Sequence, residues 1–221
     1  FIVTPLKGIG TGLPAVILII IIMQLLWFFG IHGFSSMWGL VSVLWMPIFY
    51  EHMEMYVKTG SFAGMTQVAP NTLNNVYAMI GGSGSTLALV VLLLLLGKKG
   101  SAERSIGKVA IIPGLFGINE PVTFGLPIVL NPLMFIPFVF VPVVNAIVAY
   151  IATSAGWVHH LVVLNSGVEP VFVNTWVLGA FTLSPVVLYL VLFLLDIVLY
   201  YPFVQLQIKQ NQMEVQKNGT A

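Results

Sequence analysis

The carboxylate of Glu120 lies in the stretch Gly114-Leu115-Phe116-Gly117-Ile118-Asn119-Glu120-Pro121-Val122-Thr123-Phe124-Gly125-Leu126-Pro127, within sequence that otherwise reads as hydrocarbon. Glycines and prolines on both sides argue against a smooth spanning helix. Lipid cannot satisfy freed backbone groups, so broken backbone at membrane depth is expected only where protein buries it or where it lines a wet cavity. An ionisable residue in such a place is costly and points to function. Glu120 offers acceptor oxygens, and Asn119 beside it offers both a donor and an acceptor. The pair suits a solute that presents hydroxyl groups, such as a sugar, gripped by charge-assisted hydrogen bonds. A proton relay through Glu120 fits the same chemistry. The bland alternative is an interfacial loop whose Glu120 simply meets water.

A second candidate is His32, in the Gly-flanked break Gly30-Ile31-His32-Gly33 that follows an apolar span. A neutral imidazole can accept from a hydroxyl or act as a base near physiological pH. Equally, a histidine at a helix end can be a cap. Phe29-Gly30-Ile31-His32 echoes Phe116-Gly117-Ile118-Asn119 in three positions. Other polar groups draw plainer readings. His159-His160 with Glu169 lacks the i,i+4 histidine pair of a helical metal site, so an interfacial loop is expected and no metal. Glu51, His52 and Glu54 read as an external solvated loop. Asp196 is expected to snorkel towards an interface at Tyr200-Tyr201. Trp27, Trp38, Trp45 and Trp176 could stack on sugar faces, although tryptophan is common at membrane interfaces anyway. Gly81-Gly82-Ser83-Gly84-Ser85 lacks the Gly-Lys-Ser/Thr ending of a phosphate-cradling loop, so no nucleotide or other cofactor is expected.

The elements that must position these groups are set by composition. Of 221 residues, 58% are hydrophobic and 7% charged, against about 25% charged in soluble domains. The apolar runs are too long and continuous for alternating barrel strands, so an all-α integral membrane protein is expected, in a cell membrane and crossing it several times. No basic stripe or motif suggests nucleic acid. With no cysteine, disulfides and covalent cysteine chemistry within the chain are excluded. No charged leader with a cleavage site stands before an apolar core, so no signal peptide is expected.

Spans are expected over Leu13 to Phe29, Val76 to Leu96, Val129 to Ala155 and Trp176 to Phe203. Phe34 to Tyr50, interrupted by Gly39 and Pro47, reads as re-entrant or tilted. The loop Gly97 to Lys108 carries Lys98, Lys99, Arg104 and Lys108 against Glu103 alone, which places it in the cytoplasm. The Asn-Glu-Pro stretch then enters and leaves from that side, and the segment after His32 re-enters from the other. Two re-entrant hairpins from opposite faces are a transporter signature. Residues 1–204 form the membrane unit and 205–221 a polar, disordered cytoplasmic tail.

Gly117-Ile118-Asn119-Glu120-Pro121-Val122-Thr123-Phe124-Gly125-Leu126-Pro127-Ile128-Val129-Leu130-Asn131-Pro132 resembles the signature of the membrane IIC component of the bacterial phosphotransferase system, lactose/cellobiose (diacetylchitobiose) type. Gly81-Gly82-Ser83-Gly84-Ser85-Thr86-Leu87 and Phe29-Gly30-Ile31-His32-Gly33 resemble two further motifs, in the right order. The resemblance runs through most of the chain, weakest after Trp157. It implies the carboxy-terminal, sugar-binding half of a longer protein, which forms a homodimer through an amino-terminal half absent here. It implies that Glu120 and His32 act on the sugar hydroxyl that becomes phosphorylated, with Asn119 and Gly33 beside them. The sugar would be a β-linked disaccharide, phosphorylated by a cytosolic IIB partner that carries phosphate on a cysteine. Phosphotransfer then needs that partner, and no stand-alone catalysis is expected. Gly167 to Thr175 departs from the family's Trp-Thr-Thr-Pro pattern. A secondary carrier or channel with Glu120 as a proton or ion site is the rival reading.

Overall fold

The computed structural model describes residues 10–164 and 167–218, the last five as helical backbone alone; Lys7 lies outside them. Among the described residues every regular element is helical. Helix α1 (Leu13–Phe28) opens on Pro14, whose fixed φ suits a first turn. Apart from the buried Gln24 it is apolar all round, as expected of a helix shared between lipid and protein. Helix α2 (Gly33–Thr59) has 27 residues, about 40 Å at 1.5 Å per residue, enough to cross a bilayer. Gly39 and Pro47 lie inside it, so the expected re-entrant break after His32 is absent. The expected external loop at Glu51, His52 and Glu54 is likewise the last part of α2. There Glu54 accepts from Lys58 at 2.6 Å, one turn on, and Gly60 ends the helix at φ 64° with its N–H on the Tyr56 carbonyl.

The break falls further along. Helix α3 (Pro70–Thr72) runs into a single π turn at Leu73–Tyr77. Gly81 and Gly82 follow with positive φ, then a tight 3-10 turn at Ser83–Ser85. Only then does α4 (Leu87–Leu96) begin. The single span expected over Val76 to Leu96 is therefore a broken segment plus a ten-residue helix. A hydrogen bond from the Leu87 N–H to the Ile80 carbonyl (3.1 Å) closes the loop between them. The second break lies where the Asn-Glu-Pro stretch requires it, between α5 (Ala102–Leu115) and the short α6 (Glu120–Gly125). Helix α4 packs along α5, where Gly107 leaves room for Leu94. Helix α7 (Pro132–Ser154), the short α8 (Val171–Leu178) and α9 (Ser184–Asn218) complete the chain. Thus α2, α7 and the Ser184–Met213 part of α9 are long and apolar enough to cross a membrane. The all-α membrane class holds. The disordered tail does not, because α9 runs on as helix to Asn218.

The two ends of the bundle differ in chemistry. At one, His52 meets His160 edge-to-face at 4.9 Å and His159 stacks on Phe62 at 4.5 Å. Burial, with repulsion from His52, pushes His160 down to about 4. Among the described residues no cluster there could hold a metal. At the other end lies the loop between α4 and α5, with Lys98 and Lys99. A chain of amides also ties three helices together there. Asn131 caps α7, accepting from the N–H groups of Leu133 and Met134, and donates to Gln207 at 2.9 Å. Gln207 donates to Asn211, and Asn211 to the Glu103 carboxylate, each at 2.9 Å. Burial disfavours the charge on Glu103, but bonds from Asn211, its own backbone N–H and the Ser101 hydroxyl outweigh it and hold the carboxyl below its ordinary range. The stability this lends is complete above the ordinary carboxylate value of about 4.3 and fades as pH falls through the lowered one. Glu103→Gln should therefore flatten the acid limb of a thermal-unfolding profile in detergent. An unchanged acid limb would show that the junction does not feel this charge.

Candidate functional site

His32 and Asn119 occupy the same place in two matching turns. At the end of α1, Gly30 takes φ 82° and the Ile31 N–H reaches back to the Leu26 carbonyl at 2.8 Å. At the end of α5, Gly117 takes φ 78° and the Ile118 N–H reaches back to the Pro113 carbonyl at 3.0 Å. Both are helix ends of the Schellman type, with glycine in the left-handed position and the apolar residue after it closing the six-to-one bond. The echo Phe-Gly-Ile is thus a repeated local structure: a helix ends, the chain turns, and the next residue stands at the N-cap position of a new helix.

The caps differ. The Nδ1 atom of His32 accepts from the Ser35 N–H at 3.2 Å, so the sequence-level alternative of a capping histidine is correct. It does not remove a functional role. In a neutral imidazole with Nδ1 accepting, Nε2 carries the proton, so His32 presents a donor. Its ring stands 4.6 Å from that of Trp27. Asn119 is buried, and its amide donates to the Ser83 carbonyl at 2.8 Å and to the Thr123 hydroxyl at 3.2 Å. It fastens the second turn to the glycine loop, its donors engaged within the protein. Glu120 opens α6 half-buried, and no described residue hydrogen-bonds its carboxylate.

These turns meet at one cavity of about 670 Å³, within the range of small-molecule sites. His32, Trp27, Asn119 and Glu120 line it, with Gly82 and Ser83 of the glycine loop. Gly33 does not: it is buried where a Cβ would strike the Met23 carbonyl, so it permits the close approach of α1 and α2. Glu169 corrects another expectation. It lies in the loop before Val171, as expected, but half-buried in the wall of the same cavity. Asp196 corrects a third. It is fully buried and does not snorkel, and neither does Tyr200, whose hydroxyl donates to the Gly84 carbonyl at 2.5 Å. Of the expected aromatics, Trp27 lines the cavity. Trp45 is a core residue whose Nε1 donates to the Gly10 carbonyl.

A sequence profile described as "Phosphotransferase system, EIIC" matches residues 2–142. The chain belongs to the phosphotransferase system EIIC family. Among curated relatives, the cellobiose-specific EIIC component of Geobacillus stearothermophilus is 34% identical over 221 residues, covering 98% of this chain and 48% of the relative. The lactose-specific EIICB component of Streptococcus mutans is 32% identical over 219 residues, covering 93% of this chain and 36% of the relative. The crystal structure of ChbC, the IIC component of the N,N'-diacetylchitobiose-specific system, superposes with a TM-score of 0.86 at 36% identity, covering 96% of this chain and 49% of that one. This EIIC chain therefore spans about half the length of the cellobiose-specific relative and of ChbC. Its Asn-Glu-Pro stretch, glycine loop and His32 turn all fall inside the matched residues.

Proposed function

We propose that this chain forms the sugar-binding part of a phosphotransferase-system permease for a β-linked disaccharide of the cellobiose, lactose or diacetylchitobiose type. The observation that carries the reading is the pairing of opposite hydrogen-bonding roles in one cavity. Glu120 is an acceptor that no described residue uses, and His32 is fixed by its cap as a donor. A sugar hydroxyl needs both. It gives its proton to the Glu120 carboxylate as a hydrogen bond and receives one from His32 Nε2 at its oxygen. That grip leaves an oxygen lone pair free to meet a phosphorus atom in line. Positioning of this kind is most of what phosphoryl transfer asks of a protein. The phosphate comes from a cytosolic IIB partner. The hydroxyl oxygen bonds to phosphorus as the bond to the IIB cysteine sulfur breaks, and the hydroxyl proton passes to Glu120. This chain has no cysteine to carry phosphate. Along α9, Val187, Val191, Leu194 and Val198 form an exposed stripe at helical spacing that suits lipid. A homodimer through segments outside this chain completes the reading.

Membership of the EIIC family takes support away from the carrier or channel alternative. The deciding experiment titrates purified full-length protein with cellobiose, lactose and diacetylchitobiose, then adds phosphorylated IIB and follows the sugar phosphate. Binding of one of these sugars, and phosphorylation only when IIB is present, are expected. Phosphorylation with ATP alone would overturn the reading. The basic end of the bundle is assigned to the cytoplasm, from where IIB must approach. Cysteine at Ser101 should resist an impermeant thiol reagent added to intact cells; ready labelling from outside would reverse the orientation.

A further inference from the structure

Asp196 is fully buried in α9, and among the described residues no cation pairs with it. Burying an acidic side chain without such a partner costs free energy, so its presence asks for another explanation. Its contacts supply one. Oδ2 accepts from the Ser85 hydroxyl at 2.5 Å and from the Asn145 amide of α7 at 3.1 Å, and that amide also donates to the Ser85 oxygen at 3.2 Å. One turn further along the same face of α9, the Tyr200 hydroxyl donates to the Gly84 carbonyl. The ring of Phe138 from α7 closes over Gly84, in the space a Cβ would take. Two long helices thus grip the residues Gly84 and Ser85, both held at positive φ.

The other end of the same loop reaches the cavity. Gly82 and Ser83 form part of its wall, and the Ser83 carbonyl accepts from Asn119, the residue before Glu120. A continuous path runs from Asp196 through Ser85 and the Ser83 carbonyl to Asn119, and so to the backbone that carries Glu120.

We propose that Asp196 is a positioning residue: by holding Ser85 and Asn145 it fixes the glycine loop, and through Asn119 it sets the place of the Glu120 carboxylate in the sugar cavity. The inference rests on the sugar-site reading of Glu120. A loop that carries three positive-φ glycines has many other conformations open to it. Losing the anchor lets the loop sample them, and the Asn119 turn loses its wall.

The test uses full-length protein in detergent or nanodiscs, with Ser85→Ala, Asp196→Ala and Asp196→Asn. Hydrogen exchange over residues 79–87 and 117–123 reads the path directly, without sugar. Ser85→Ala is the mild variant, in case Asp196→Ala fails to insert. Ser85→Ala should raise exchange in both segments and leave residues 33–59 unchanged. It should also weaken cellobiose about tenfold, the scale of leaving one buried polar partner unsatisfied. Asp196→Asn keeps an acceptor oxygen and should restore both measures relative to Asp196→Ala. On an Asn119→Ala background, Ser85→Ala should add no further loss of sugar affinity, because the path is already cut. Exchange that rises in 79–87 alone, or evenly through the protein, overturns the proposal. So does full additivity with Asn119→Ala. If the wild type binds none of the disaccharides, the sugar reading fails by itself, and the exchange pattern still decides whether Asp196 fixes the Asn119 turn.

Discussion

Glu120→Gln should weaken disaccharide binding by about tenfold to a hundredfold while leaving membrane insertion and thermal stability close to wild type. The two halves of that expectation have separate grounds. Glu120 makes no hydrogen bond to a described residue, so the folded protein loses little when its charge is removed. The sugar loses a charged acceptor in a half-buried site, worth about 1.5–3 kcal/mol, and each 1.4 kcal/mol is about tenfold in affinity. The amide also presents a donor face, which the hydroxyl proton cannot use. His32→Ala removes the complementary donor and, with it, the cap of α2, so it should reduce both affinity and stability. A calorimetric titration beside a melting curve separates the two variants. Equal affinity in wild type and Glu120→Gln would remove Glu120 from the site and return the carrier reading to consideration, with proton coupling as its measurement.

The site was legible in the sequence to the extent that it depends on local backbone chemistry. A glycine after an apolar helix, followed by an isoleucine, favours a Schellman end through local chemistry alone. That is why the Phe-Gly-Ile echo led to two turns that share a cavity. The same reasoning failed for Gly39 and Pro47, which lie inside a continuous α2. Membrane helices tolerate such residues when neighbours satisfy the freed groups, and no local signal reveals the neighbours. Asp196 departs from its expected place for a related reason. Its nearness in sequence to Tyr200-Tyr201 suggested an interface, but Asp196 and Tyr200 are four residues apart and share one helix face. A polar pair on one face of an otherwise apolar helix is the signal that was available. Its partners, Ser85 and Asn145, lie 111 and 51 residues away, and only the fold brings them together. Glu169 gave no signal beyond an acidic residue in a mixed loop, and its place in the cavity wall is a tertiary fact. Glu169→Gln is now expected to change sugar affinity, where the interfacial-loop reading expects little effect.

The glycine loop offers the sharpest steric test of this arrangement. Gly82→Ala should leave the protein inserted but reduce sugar affinity about tenfold to a hundredfold. Gly82 sits at φ 106°, ψ −174°, a region essentially reserved for glycine, where another residue costs about 1–3 kcal/mol. Steric conflict adds to the strain. A Cβ there would lie 2.7 Å from Cβ and 2.8 Å from Cγ of Asn119, closer than carbon atoms approach without something moving. The neighbour that must move is the side chain that fastens the Glu120 turn to the loop, through its bond to Ser83. Relief of the clash therefore displaces Glu120 directly, which strain elsewhere in the chain would not do. Gly100→Ala makes the matched control. Gly100 also has a positive φ, 84°, but a Cβ there meets nothing within 4 Å, and it lies in the basic loop at the far end of α4. That variant carries backbone strain without a clash, so it should lower the melting temperature somewhat and leave affinity alone. Cellobiose titrations of the two variants at matched temperature settle the point. Wild-type affinity in Gly82→Ala would show that the glycine loop does not hold the Asn119 turn, and an equal loss in both variants would show that strain acts through global stability.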